Sequence, residues 1–292
     1  LLFYSSKFYG IFFHKRTFSD EKEAMWQQAT GTECNKRGFV FVLSRAWFIF
    51  AGMLIKTRAI VLHSFKYGES KMITDLLTES NGRLSCITHI SSSAKAKVKK
   101  QFFQPLTILD MEIDLRRQKN LHTIKEARIS VPFFSIPFDA YKLSIALFTA
   151  EFLSRATRYE QSDALLYKYV ESSVLWLDGV GGRFSNFHLV FMMRLTRFAG
   201  FFPNLDDYSP NCCFDMRNGC FTPSPPPHSD FLGPEESEKM RLLMRMNYDT
   251  MHLFAMSRAE RNRCVDVILD FYRLHVPDFR DIKSLDVLKE LF

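Results

Sequence analysis

Two hydrophobic periods divide this chain. Between residues 53 and about 131 the apolar positions alternate in short runs, and from 137 onward they recur every third and fourth residue. In the first stretch, 55–63 mixes β-branched residues with charges at Lys56 and Arg58, the pattern of a half-buried strand. Tyr67-Gly68-Glu69-Ser70 predicts a turn, and 72–79 a second strand carrying Ile73, Leu76 and Leu77. Ser80-Asn81-Gly82-Arg83 predicts a hairpin, because Asn-Gly takes up positive φ at little cost, and 84–90 follows as a third strand. Residues 105–115 and 120–130 supply two more, separated by Arg116-Arg117-Gln118-Lys119. Five short strands joined by one hairpin and longer loops predict a small barrel, with the OB-fold as leading candidate.

The second stretch predicts helices over 141–159, 162–177 and 187–199, the last apolar on most sides and therefore central. Residues 203–234 hold seven prolines and two glycines, so no long regular element runs through them. Helix resumes over 235–247 and 257–275, the latter opened by the capping box Ser257-Arg258-Ala259-Glu260, and a short helix over 284–291 ends the chain. The fold class is α+β: a five-stranded OB-fold barrel at 53–132, then a helical domain at 133–292 with an irregular Pro- and Cys-containing insertion at about 203–234.

The first 52 residues lack clean periodicity and helix caps. Residues 38–55 are apolar enough to suggest a membrane anchor, but Arg45 interrupts them and the run is at the lower limit of about 17–25 residues for a span. Three readings stand: an upstream stretch joined to a gene that starts at Met53, a poorly folded extension, or a signal anchor. The first is preferred, and 1–52 is left out of the fold argument.

Charge changes the picture most. Residues 53–131 hold 14 Lys/Arg against 7 Asp/Glu, whereas 132–292 hold 18 against 21. A basic module followed by a slightly acidic one suggests a polyanion-binding head on a partner-binding body. Within the head, four lysines (Lys95, Lys97, Lys99 and Lys100) fall in six residues after Ser91-Ser92-Ser93. The candidate nucleic-acid-binding residues are those four with Arg58, Lys66, Lys71, Arg83, Arg116 and Arg117, placed to track a phosphate backbone. Phe102 or Phe103 could offer a base-stacking surface, or could pack into the barrel core.

Catalytic motifs are absent. There is no GxxxxGK[ST], HExxH, GxSxG or CxxC, and Gly179-Val180-Gly181-Gly182 follows a helix instead of a strand. Asp110, Glu112 and Asp114 share one strand face, expected to be solvated and not to hold a metal. The six cysteines form no regular framework, which suits a reduced intracellular protein. Cys212, Cys213, Cys220 and His228 are the only metal candidates. Their spacing departs from paired zinc ligands, so no cofactor is expected.

The segments Ala59-Ile60-Val61-Leu62, Tyr67-Gly68-Glu69-Ser70, Leu76-Leu77-Thr78-Glu79 and Gly82-Arg83-Leu84 come in an order and spacing that resembles the RecO family of bacterial recombination mediators. Leu274-His275-Val276-Pro277-Asp278-Phe279 and Ser284-Leu285-Asp286-Val287-Leu288 extend the resemblance to the far end of the chain, and the Pro- and Cys-containing style is similar to forms from Bacteroidetes. The resemblance covers 53–292 and implies an OB-fold, a helical body and, in many members, a four-cysteine zinc module. This chain departs from that module, so the metal is not carried over. It further implies a non-enzymatic, cytoplasmic, nucleoid-associated protein of DNA repair and recombination. Such a protein binds single- and double-stranded DNA, anneals complementary strands, works with RecR, and helps RecA displace single-strand-binding protein. Separately from the resemblance, an apolar groove between the helices, with Arg194 and Arg197 nearby, could take the acidic tail of single-strand-binding protein. The alternatives are a generic OB-fold nucleic-acid-binding module without mediator activity, a membrane-anchored interaction subunit, and a metal-dependent enzyme built on the weak cysteine cluster; no membrane role is expected.

Overall fold

The computed structural model describes residues 53–90, 98–116, 119–158 and 163–292. Five strands, β1 (Met53–Tyr67), β2 (Lys71–Thr78), β3 (Gly82–His89), β4 (Ile108–Leu115) and β5 (Leu121–Val131), close into a barrel of order β1-β2-β3-β5-β4. All neighbours are antiparallel except β3 and β5, which pair in parallel from Ser85↔Leu121 to Ile87↔Thr123. Gly82 sits at φ +65 after Asn81, as the hairpin signal requires, and the Thr78 hydroxyl donates to Gly82 O across the turn at 2.7 Å.

β1 runs longer than its sequence pattern suggested, through Tyr67, and it pairs with β4 along its first half and β2 along its second. A bulge between Val61 and His63 shifts its register against β2. It also separates two cores. Ala59 and Val61 turn into the barrel with Met72, Leu76, Cys86, Leu109 and Ile113. Ile60 and Leu62 turn outward and join Leu77, Leu106 and Ile108 in the core of the helical body. The barrel wall is therefore one side of the larger core.

The body comprises α1 (Ala140–Ala156), α2 (Ala164–Gly179), α3 (Phe187–Leu195), α4 (Pro234–Arg245), α5 (Arg258–His275) and α6 (Leu285–Leu291). Asp139 and Asp163 cap α1 and α2, and Ser257 with Glu260 forms the capping box expected at α5. The central α3 is shorter than predicted, because the chain leaves helix at Thr196, whose hydroxyl bonds Met193 O. The linker from barrel to body is anchored by Asp178 at the end of α2. Its carboxylate accepts the amides of Phe134, Ser135 and Ile136 at 2.8–2.9 Å. The buried Lys142 ammonium completes the joint, donating to Ser135 Oγ, Asp178 O and Val180 O.

The Pro-rich insertion is irregular as expected but holds a small sheet of order β7-β6-β8, from β6 (Cys213–Asp215), β7 (Cys220–Thr222) and β8 (Phe231–Leu232). Strands of two or three residues carry too little alternation to be read in a sequence. Among the described residues no helix is long and apolar enough to cross a membrane.

Candidate nucleic-acid interface

The outward faces of the barrel differ sharply. On the side built by β1, β4 and β5, cross-strand partners are charges of both signs. Lys56 pairs Glu112 at 2.9 Å, Arg128 pairs Asp110 at 3.2 Å, and Arg58 reaches Glu171 of α2 at 2.5 Å with Asp110 at 4.0 Å. Asp114 lies between Lys125 (3.7 Å) and Arg116 (3.9 Å). The carboxylates of β4 thus form an ion-paired ladder, in keeping with the expectation of a solvated face. Arg58, expected on the DNA side, is a clamp between barrel and body instead, because its register places it opposite Asp110.

On the other side, the β4–β5 connection, the β2–β3 turn and the end of α1 enclose a groove of about 710 Å³. Arg83, Arg116, Lys119, His122 and Arg158 line it together with Asn81, Leu84, Ser85, Leu115 and Asn120. No carboxylate lines it among the described residues. Arg116, Lys119 and Arg158 are exposed. Arg83 is held in place, donating to Ser154 O at 2.6 Å and pairing Asp75 at 3.2 Å, so its head is shared between groove wall and domain joint. Burial holds the His122 imidazole below its ordinary pKa against the opposing pull of Asp114, and its Nδ1 accepts the Arg116 amide at 3.2 Å. His122 is therefore a neutral orienting group at pH 7 and not a further cation.

The other expected residues fall elsewhere. Lys66 and Lys71 are exposed at the β1–β2 turn, the far end of the β2–β3 face from the groove. Lys99 and Lys100 open a single 3-10 turn (Lys100–Phe103) that Ser64 Oγ ties to β1 through Phe103 O at 2.8 Å. Lys95, Lys97 and Arg117 lie outside the described residues. Phe103 is buried in the barrel, whereas Phe102 is half-buried and packs against the same core. Lys119 and Arg158 were not singled out from the sequence; Lys119 was legible beside Arg116-Arg117, whereas Arg158 reaches the groove only because α1 ends there. Arg194 and Arg197, suggested as flanking a tail-binding groove, are engaged, Arg194 with Met246 O at 3.3 Å and Arg197 over the Phe202 ring at 4.2 Å.

The cysteine cluster does not fit a four-cysteine zinc set. Cys213 and Cys220 lie on one face of the β6–β7 hairpin with Asp215 between them in register. Asp215 closes the turn, accepting from Arg217 N, Asn218 N and Asn218 Nδ2 at 2.7–3.1 Å, with His228 Nε2 at 3.3 Å. Burial raises its pKa, but these amide donors and His228 outweigh that and hold it below the ordinary carboxylate value. Phe214 and Phe221 pack the opposite face, with Tyr208 and Phe271 against them. No group of three or more metal-ligating side chains among the described residues is placed to hold an ion.

A closed barrel of this strand order, fused to a helical body and carrying a cationic groove between loops, defines a protein of the oligonucleotide/oligosaccharide-binding class. The model described as "Recombination protein O N terminal" matches residues 53–133, and "Recombination protein O C terminal" matches 137–286. The chain is 53% identical over 240 residues to the DNA repair protein RecO of Phocaeicola vulgatus and 52% identical over 241 residues to that of Bacteroides fragilis. It is 36% identical over 245 residues to the RecO of Porphyromonas gingivalis. Each match covers 82% of this chain and the whole of the relative. The chain belongs to the RecO family of DNA repair proteins, and these relatives bear out the Bacteroidetes style of the sequence.

Proposed function

We propose that this protein is a recombination mediator. It binds single- and double-stranded DNA, anneals complementary strands, and with RecR assists loading of RecA onto DNA coated by single-strand-binding protein. It would act in the cytoplasm on the nucleoid. The observation that supports the DNA-binding step is the groove of Arg83, Arg116, Lys119 and Arg158 on the β2–β3 side of an OB barrel, the side this fold uses for polyanionic chains. Cations there displace condensed counterions from the phosphates, giving affinity with little sequence preference. Neutralising both strands lowers their mutual repulsion, and base pairing then supplies the free energy, so no nucleotide hydrolysis is required.

The test is annealing of complementary strands precoated with single-strand-binding protein, with DNA affinity measured across a salt series. The parent should anneal rapidly. Changing Arg116 and Lys119 together to Ala should weaken single-strand binding roughly tenfold and reduce the salt slope by about 1.4, near 0.7 for each lost phosphate contact. Arg58→Ala should leave affinity within about twofold, since its head is committed to Glu171. A folded parent that binds DNA but anneals nothing would reduce the protein to a plain nucleic-acid-binding module.

A further inference from the structure

The outward face of β1, β2 and β3 carries a second feature beyond the groove. Directly opposed residues of antiparallel strands share a face, so the register lays out successive rows. Ile60, Leu77 and Arg83 form the row against the helical body, followed by His63, Asp75 and Ser85, then Phe65, Ile73 and Ile87, and finally Tyr67, Lys71 and His89. The first row is buried or bound to Ser154. The last two face solvent. Phe65 is 44% exposed and Tyr67 is 56% exposed, although both lie on a strand whose neighbours supply two cores. The His63 ring lies 5.7 Å from that of Phe65, so the aromatic surface continues toward the groove.

The charge around these rings suits a polyanion. Lys71 stands in the same row as Tyr67, Lys66 is exposed on the strand's other face between the two rings, and the carboxylate within the rows, Asp75, is already occupied by Arg83 and by Ser85 Oγ at 2.5 Å. Glu69, in the β1–β2 turn, is the exposed carboxylate nearby. The outward residues of β3 (Arg83, Ser85, Ile87 and His89) lead from the groove to the rings over about 20 Å. That length suits the lower end of the range of about 4–16 nucleotides that one OB fold covers. Phe65 and Tyr67, two residues apart on one face, are separated by about 6–7 Å along the strand, room for one base on each.

We infer that Phe65 and Tyr67 form a base-stacking platform that selects single strands over duplex. The inference rests on the reading that the adjoining groove takes DNA, and it assigns a different task to each part. The groove holds phosphates, which both kinds of DNA present. The platform needs an unstacked base face, which a duplex hides. Stacking on a ring is indifferent to base identity, so the platform adds strand-type preference without sequence preference.

The experiment compares the full chain with a variant carrying Phe65→Ala and Tyr67→Ala, by fluorescence anisotropy on three probes: a short oligothymidylate, an abasic strand of equal length, and a duplex. The variant should lose tenfold or more on oligothymidylate and stay within twofold of the parent on the abasic strand and the duplex. A second variant, Phe65→Trp, should keep the parent's affinity and show fluorescence quenching when oligothymidylate is added. Equal losses on all three probes, or no loss on oligothymidylate, would overturn the platform, the latter leaving the exposed rings to a protein partner. A parent that binds none of the probes would overturn the DNA reading itself, and the platform with it.

Discussion

His188 shows how far one side chain can depart from the behaviour its residue type suggests. It is 1% exposed on α3, edge-on to Phe148 at 6.3 Å and beside Phe292 at 5.8 Å, and its Nδ1 has no hydrogen-bond partner. Burial, with the Arg261 charge adding to it, pushes its pKa down to about 3. A histidine whose folded pKa is depressed contributes stability that is present above the unfolded value near 6.5 and lost as pH falls from there toward 3. Replacing His188 with Leu should remove a slope of up to about 1.4 kcal/mol per pH unit over that interval. Urea unfolding at pH 7.5, 6 and 5 would check this, and the variant should gain on the parent at each step downward. Reading His188 as a packing residue was within reach of the sequence, since α3 is apolar on most sides. Its neutral state was not, because that depends on which rings enclose it. The same limit applied to Arg58, read on its strand, and Arg83, read in the turn that precedes β3; their partners, Glu171 and Ser154, lie on helices, more than seventy residues away in Arg83's case.

At the scale of elements, the β6–β7 hairpin is closed by a carboxylate and backed by aromatic packing. Asp215 satisfies the turn's amides and Phe214 fills the core behind it. We expect a chelator to leave the melting temperature unchanged and purified protein to carry no stoichiometric zinc. Asp215→Ala should cost about 2–4 kcal/mol, because several partly buried donors lose their acceptor together. A melting temperature that falls on chelation would contradict this account. The capping box at Ser257 and the Asn81-Gly82 turn were read directly from residues close in sequence, and the structure holds both. The hairpin's strands were not, since three residues cannot establish a period, and pairing with β8 brings together segments some sixteen residues apart.

For the whole molecule, the decisive feature is that the outer wall of the barrel is part of the body's core. Ile60, Leu62, Leu77, Leu106 and Ile108 are at most 3% exposed and belong to the helical cluster, while Arg58–Glu171, Arg83–Ser154 and the Asp178 joint bind the same boundary. Residues 52–292 should therefore unfold in a single calorimetric transition, and Leu77→Ala should lower it by about 2–5 kcal/mol without splitting it. A separately expressed barrel, 53–133, should aggregate, because it would expose those five side chains. Two resolved transitions would show the boundary to be weaker than its packing implies. The sequence by itself determined the number of barrel strands and their succession along the chain, the α+β class, the location of excess positive charge and the absence of catalytic motifs, because periodicity, turn chemistry and charge are local properties. Only the tertiary structure decided which cations face a common groove, that Phe103 is core while Phe65 and Tyr67 are exposed, and that Arg58 is a clamp. Those outcomes follow from strand register and from where the helices close on the barrel. One bulge in β1 sets the phase of every outward side chain beyond it, and no local pattern records that bulge.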